Sequence, residues 1–242
     1  MNTVPMQKIP TLRAGASGPS AAMPTRLTRA LLACGVVAGP LYILVGAIEI
    51  LTRPGFDMTR HDLSLMSNGN GGWIHIAMLI TTGLLTMAGA VGMQQRIRGG
   101  RGEKWGTMLI GVYGLGLIGA GFFVADPALG FPPGTPADAR VVSWHGMLHL
   151  ICGGIGFLAL IAACFLFARR FAARGLRGWA AYSVATGVVY FAAFSGIAAG
   201  SNSPGAIMTF VILAFTVAVV LGWAWVSAMA ARLMTGLPDV KV

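Results

Sequence analysis

Six long apolar stretches separated by short polar segments set the pattern of this chain; they run over 30–51, 73–93, 105–125, 144–168, 179–200 and 204–231. Each is long enough to cross the roughly 30 Å hydrocarbon core of a bilayer as a helix rising about 1.5 Å per residue. None carries the strict apolar–polar alternation of a strand. The pattern predicts an all-α integral membrane bundle of six transmembrane helices spanning 30–232. A disordered tail at 1–29, rich in Pro, Gly and Ser, precedes it, and a short tail at 233–242 follows. Trp73, Trp105, Trp144 and Trp179 each open a stretch, and Trp223 and Trp225 stand near the end of the sixth. Amphipathic rings gather at the water–lipid boundary, so all six are expected there.

Composition agrees: 56% of the 242 residues are hydrophobic and 10% charged, where a soluble domain has about a quarter charged. The net charge of +10 does not point to nucleic acid, because no soluble basic domain is left to carry it. The cations instead cluster between apolar stretches: Lys8, Arg13, Arg26 and Arg29; Arg96, Arg98, Arg101 and Lys104; Arg169, Arg170, Arg174 and Arg177; Arg232 and Lys241. Only Arg53, Arg60 and Arg140 fall on the other side. The positive-inside rule then puts both termini in the cytoplasm, with membrane lipids as the expected partners. No feature identifies a protein partner. Cys34, Cys152 and Cys164 all lie inside apolar stretches and form no disulfide framework.

Polarity of the opposite kind collects on the outer side. Glu49, Asp57, Asp62, Asp126 and Asp138 lie there, with His61, His75, His145 and His149. Two outer segments, 52–72 and 126–143, are long and rich in Gly and Pro; the third is the tight turn at 201–204. Thr59 and Asp62 match a capping box ahead of Leu63, Leu65 and Met66, predicting a short interfacial helix. Gly35 with Gly39, and Gly196 with Gly200, offer close-packing faces whose simplest use is within one bundle.

The segments Leu31–Leu41, Thr52–Asp57 and Leu63–Gly69, with Gly72-Trp73, Phe123–Pro127 and Gly130–Gly134, resemble bacterial membrane proteins of the domain-of-unknown-function family 998. The resemblance covers roughly 30–232. It implies a compact six-helix protein of the bacterial plasma membrane and carries no established activity.

Candidate chemistry centres on 126–149. His145 and His149, four apart, share one helical face that continues through Cys152 and Gly156. That spacing suits metal ligation, although His-Gly-Met-Leu-His lacks the glutamate of the zinc-protease motif. Asp126 closes the third stretch at the negative end of its helix dipole and so wants a partner: a metal, a histidinium or Arg140. His61 and Ser64 on the first outer segment, and His75 at the start of the second stretch, are placed to approach. Three histidines with an aspartate and a serine resemble, in ingredients alone, the zinc site of the alkaline ceramidase and adiponectin-receptor superfamily; chain order, span count and spacing differ. Three uses stay open. The first is a structural polar network joining His149, Asp126 and loop backbone. The second is a metal site, with zinc as the candidate ion, held by His145, His149 and His61 or His75, with Asp126 and Ser64 as catalytic groups. The third is a proton- or substrate-binding site. A bis-histidine haem between His75 and His149 is a further, weaker option. Glu49 and Arg53 are spaced for an i, i+4 ion pair, and Thr82, Thr86 and Ser183 are expected to bond backbone. Two functional classes follow: a non-catalytic lipid-, ligand- or partner-binding bundle, or a metal-dependent hydrolase acting on a lipid at the outer face.

Overall fold

The structure is a computed structural model that describes residues 25–97, 101–200 and 205–235, with backbone alone for 101–103 and 200. Residues 1–24 of the first tail, 236–242 of the second, Arg98 and the turn at 201–204 lie outside the described residues, while 26–29 form the start of α1 and 233–235 the end of α6. Six helices form, α1 (Arg26–Thr52), α2 (Gly72–Arg96), α3 (Arg101–Phe122), α4 (Trp144–Ala173), α5 (Arg177–Gly200) and α6 (Gly205–Thr235), with a short 3-10 helix at Leu63–Ser67. All six are long and apolar enough to cross a membrane, and their bounds lie within a few residues of the apolar stretches.

Local chemistry sets the ends. Thr25 caps α1, its hydroxyl accepting the Thr28 amide at 3.1 Å, and α1 stops at Arg53, just before Pro54, which disfavours helix in the residue preceding it. Ser143 caps α4 in the same way, accepting from the Gly146 amide at 3.2 Å. At the other end of α4, Gly175 takes φ +71°, and Leu176 N–H returns to Phe171 O at 2.9 Å, closing the freed carbonyls in a left-handed cap.

Each helix packs against its neighbour in sequence, and α6 packs back on α1, closing a ring. Backbones touch where side chains are absent: a Cβ at Gly89 would lie 2.7 Å from the Gly35 Cα, and one at Gly116 would lie 2.8 Å from the Gly156 Cα. The small-residue face of α1 therefore serves packing within the bundle.

Tyr42, Tyr113 and Trp223 plug the middle of the ring, with centroids 4.9 Å apart for Tyr42–Trp223 and 5.4 Å for Tyr113–Trp223. This corrects one expectation. Trp73 and Trp144 are 70% and 73% exposed, as boundary residues should be, whereas Trp223 and Trp225 are 0% exposed. α6 is apolar on all sides, so its sequence does not mark which side faces the lumen. Trp225 donates its indole N–H to Ser183 Oγ at 3.0 Å, and its ring meets Phe167. At the end bearing the start of α1 and the end of α6, the Thr28 hydroxyl donates to Gln95 Oε1 at 2.7 Å, and Arg232 lies over Trp179 at 4.9 Å. The opposite end carries the two long connections and is called the cap end.

Candidate functional site

The cap is built around Arg53. Its guanidinium donates to Asn68 O, lies 5.7 Å from the Phe131 ring centroid, and approaches Glu49 Oε1 at 3.7 Å. Phe131 packs edge-on to Phe56 at 5.4 Å and beside His61 at 5.6 Å. His61 Nδ1 accepts the Asp57 amide at 3.0 Å, so Nε2 carries the proton donated to Leu129 O at 3.0 Å. His61 thus pins the second connection to the first. The expected capping box is not used. Asp57 Oδ1 instead takes the Thr59 amide at 2.9 Å and its hydroxyl at 2.7 Å, and these bonds hold the Asp57 carboxyl below the usual range. Asp62 makes no side-chain capping bond to the 3-10 helix. That helix forms where a short interfacial one was expected, but it buries Leu65 and Met66 within the protein.

Beneath this cap lies a cavity of about 140 Å³, roofed by Asp62, Leu63 and Ser64 and floored by Tyr42 and Tyr113. His75 and His149 line it from α2 and α4, while Phe157, Phe194 and Phe215 supply an aromatic wall. Both imidazoles are tied at Nδ1. His75 Nδ1 meets Glu49 Oε2 at 2.8 Å, with Glu49 2% and His75 1% exposed. His149 Nδ1 donates to Ala120 O at 2.8 Å and Phe123 O at 2.9 Å. It thereby satisfies carbonyls freed at the end of α3. No hydrogen-bond partner for Nε2 of either ring occurs among the described residues.

The structure thus divides the residues singled out by sequence. His75, His149 and Ser64 share the cavity. His61 belongs to the cap. His145 and Asp126 form a separate cluster, where Asp126 Oδ2 accepts the Ser143 amide at 2.7 Å and Oδ1 accepts its hydroxyl at 2.7 Å. His145 donates Nδ1–H to Val124 O at 3.0 Å, and its Nε2 lies 3.6 Å from Asp126 Oδ1, beyond hydrogen-bond reach. The shared face of His145 and His149 is as expected, and both rings lean on the last residues of α3 and those just after. The partner of Asp126 is the start of α4. Among the described residues no group of three or more His, Cys, Asp or Glu side chains converges in a way that holds a metal ion. Thr82 and Thr86 bond their own backbone, to Met78 O and Thr82 O, each at 2.7 Å.

The sequence pattern places Asp62 in a helix cap and gives no sign of its place in the cavity roof. Its Oδ1 is buried without a hydrogen-bond partner, and burial pushes its carboxyl above the ordinary range despite His61 nearby. Between the ordinary carboxylate value and the elevated one, the folded protein holds a proton that the unfolded chain releases. The stability linked to that proton is full below the ordinary carboxylate value and is lost as pH rises through the elevated one. Asp62→Asn, neutral throughout, is expected to gain about 1 kcal/mol over wild type at pH 7. The gain should shrink as pH falls; unfolding by SDS in mixed micelles across pH measures it.

A family model described as protein of unknown function (DUF998) matches residues 36–232. No curated protein and no solved structure matches the chain.

Proposed function

Since the chain belongs to the DUF998 family of proteins of unknown function, which lends it no activity, we propose from its geometry that it is a non-catalytic binding protein. It seats a small, largely apolar ligand in the cap-end cavity, with the cap facing away from the cytoplasm of a bacterial plasma membrane. The observation that carries this reading is the cavity itself. It is apolar over most of its wall and carries a few polar groups at one end, the usual composition of a small-molecule site. Its volume of about 140 Å³ suits a benzene-sized molecule, since about 150 Å³ of apolar space holds one. Leu150 both lines the cavity and is 57% exposed on the outer surface of the bundle. The wall there is one side chain thick, which supports exchange with the lipid phase at this point. The basic clusters near the chain ends support the orientation through the positive-inside rule.

Gly153 gives the test. Gly153 lines the cavity and a Cβ there would meet only Phe157, at 4.0 Å, so a larger side chain has room to start and is expected to extend into the cavity. Gly153→Leu is expected to fold, since it replaces a poor helix former. It should weaken benzyl alcohol binding by about tenfold or more, the cost of closing the only apolar contact surface the probe has. Isothermal titration in detergent, against an empty-micelle blank, measures this. Equal binding by both proteins, or none by wild type, removes the proposal.

A further inference from the structure

We propose that the occupant of the cavity is the end of a hydrocarbon chain of a membrane phospholipid, inserted sideways through the cap-end half of the seam between α4 and α5. This rests on the binding reading above and names the ligand and its route.

The two seams of α4 differ. Against α3 the backbones touch: a Cβ at Gly116 would lie 2.7 Å from Cys152 O and 2.8 Å from the Gly156 Cα, and one at Gly119 would lie 2.7 Å from Cys152 Sγ. Against α5 the approach is close deeper in the bundle, where a Cβ at Gly187 would lie 3.1 Å from Cys164 Cβ. Toward the cap the two helices part. The nearest neighbour of a Cβ at Gly154 would be the tip of the Phe194 ring, at 3.7 Å. Among the described residues, a Cβ at Gly153 would meet no atom of α5 within 4 Å. Gly153, Gly154, Phe194 and Ile197 line the cavity and are all partly exposed, and Leu150 beside them is 57% exposed. The cavity wall therefore reaches the outer surface along this seam, with the Phe194 ring across the gap.

Depth and chemistry select the ligand. Leu150, Gly153 and Gly154 lie six to ten residues past Trp144, about 9–15 Å along the helix. Trp144 is exposed, as a residue of the water–lipid boundary should be. The seam thus opens among acyl chains, between that boundary and the middle of a core roughly 30 Å thick. Leu150, Gly153, Gly154, Phe194 and Ile197 have no polar side-chain atom, so a headgroup passing here would shed its water with nothing in return. The polar groups of the cavity stand elsewhere: Asp62 and Ser64 in the roof, His75 on α2, and His149 drawn to α3 by the Ala120 and Phe123 carbonyls. A chain end meets no such penalty. It moves between apolar surroundings and gives the Phe157, Phe194 and Phe215 rings contacts that empty space denies them. About 140 Å³ takes roughly the last six carbons of a chain, since benzene fits such a volume. The rest of the lipid lies outside along Ile151, Ile155 and Leu158, which are 47%, 54% and 51% exposed.

Photolabelling of the full-length protein in bilayer nanodiscs tests this, using a phosphatidylethanolamine with a diazirine near the end of one acyl chain and mapping adducts by mass spectrometry. Adducts are expected on Tyr113 and Val219, cavity residues only 1% and 4% exposed, as well as on lipid-facing Ile155. Gly153→Leu should cut the Tyr113 and Val219 adducts about tenfold or more, because its side chain takes the same space, and leave Ile155 unchanged. Gly153→Ala, which adds one methyl group, should label as wild type does. Wild-type adducts confined to Ile155 and its lipid-facing neighbours, with benzyl alcohol still bound and lost in Gly153→Leu, would overturn the chain assignment and leave the cavity reading standing. Buried adducts undiminished in Gly153→Leu would overturn the assignment too. Absence of both the buried adducts and benzyl alcohol binding in wild type would overturn both readings.

Discussion

Replacing Glu49 by alanine is expected to cost about 3–5 kcal/mol of stability, the loss usual when one partner is removed from a buried ion pair. The spacing of Glu49 and Arg53 alone suggests far less, since exposed i, i+4 pairs contribute about 0.3–0.5 kcal/mol. Environment decides between these values. The side chains of Glu49 and Arg53 are 2% and 7% exposed, and His75 is buried on the other Glu49 oxygen. Without the carboxylate, Arg53 Nη1 and the imidazole N–H of His75 face a desolvated space with no acceptor of their own, and only the Arg53 bond to Asn68 O is kept. Arg53 also carries the roof through Asn68 O and Phe131, so the loss extends to the cap. Glu49→Gln keeps an acceptor for His75 but removes the charge, and should fall between wild type and alanine. Unfolding by SDS in mixed micelles gives the energies; a cost under about 1 kcal/mol for alanine would mean that the pair behaves as a solvated one. Benzyl alcohol affinity should fall in the same variants, because Glu49 fixes the ring of His75 that lines the cavity.

Much of this fold is legible in the sequence because a bilayer leaves the backbone few choices. A run of some twenty apolar residues between polar ones becomes a helix whose ends lie near the change of polarity. The site is less legible, and particular residues explain why. Position near the same boundary groups His75 with the other histidines, but its partner Glu49 depends on α1 and α2 being adjacent in the ring. Adjacency is set by packing between Gly35 and Gly89, and glycines are too frequent here for that pair to stand out. Trp223 and Trp225 carry the composition of a boundary and the burial of a core, because nothing in α6 distinguishes lumen from lipid. Asp62 fits a capping pattern, but Asp57 takes the Thr59 hydroxyl two residues away. An Asx turn of this kind competes locally with a helix cap.

Asp126→Ala is the second large effect, an expected loss of about 3 kcal/mol, since two hydrogen bonds to a charged acceptor contribute about 1.5–3 kcal/mol each before the exposed surface is discounted. The aspartate looked misplaced at the negative end of α3, but it sits at the positive end of α4. It accepts both the Ser143 amide and the Ser143 hydroxyl; that hydroxyl in turn accepts the Gly146 amide. The chain Asp126, Ser143, Gly146 thus satisfies freed donors of the first turn of α4 and complements its dipole. Space is matched as closely as charge: a Cβ at Gly146 would fall 1.9 Å from Asp126 Oδ2, so Gly146→Ala should damage the same junction from the opposite side. The start of α4 sets where His149 meets Ala120 O and Phe123 O, and so where its Nε2 enters the cavity. A structural anchor therefore predicts loss of stability together with weaker benzyl alcohol binding, both partly restored in Asp126→Asn, which still accepts from Ser143. A catalytic or metal-binding aspartate predicts the reverse: unchanged unfolding in SDS for the alanine variant, and no rescue by asparagine.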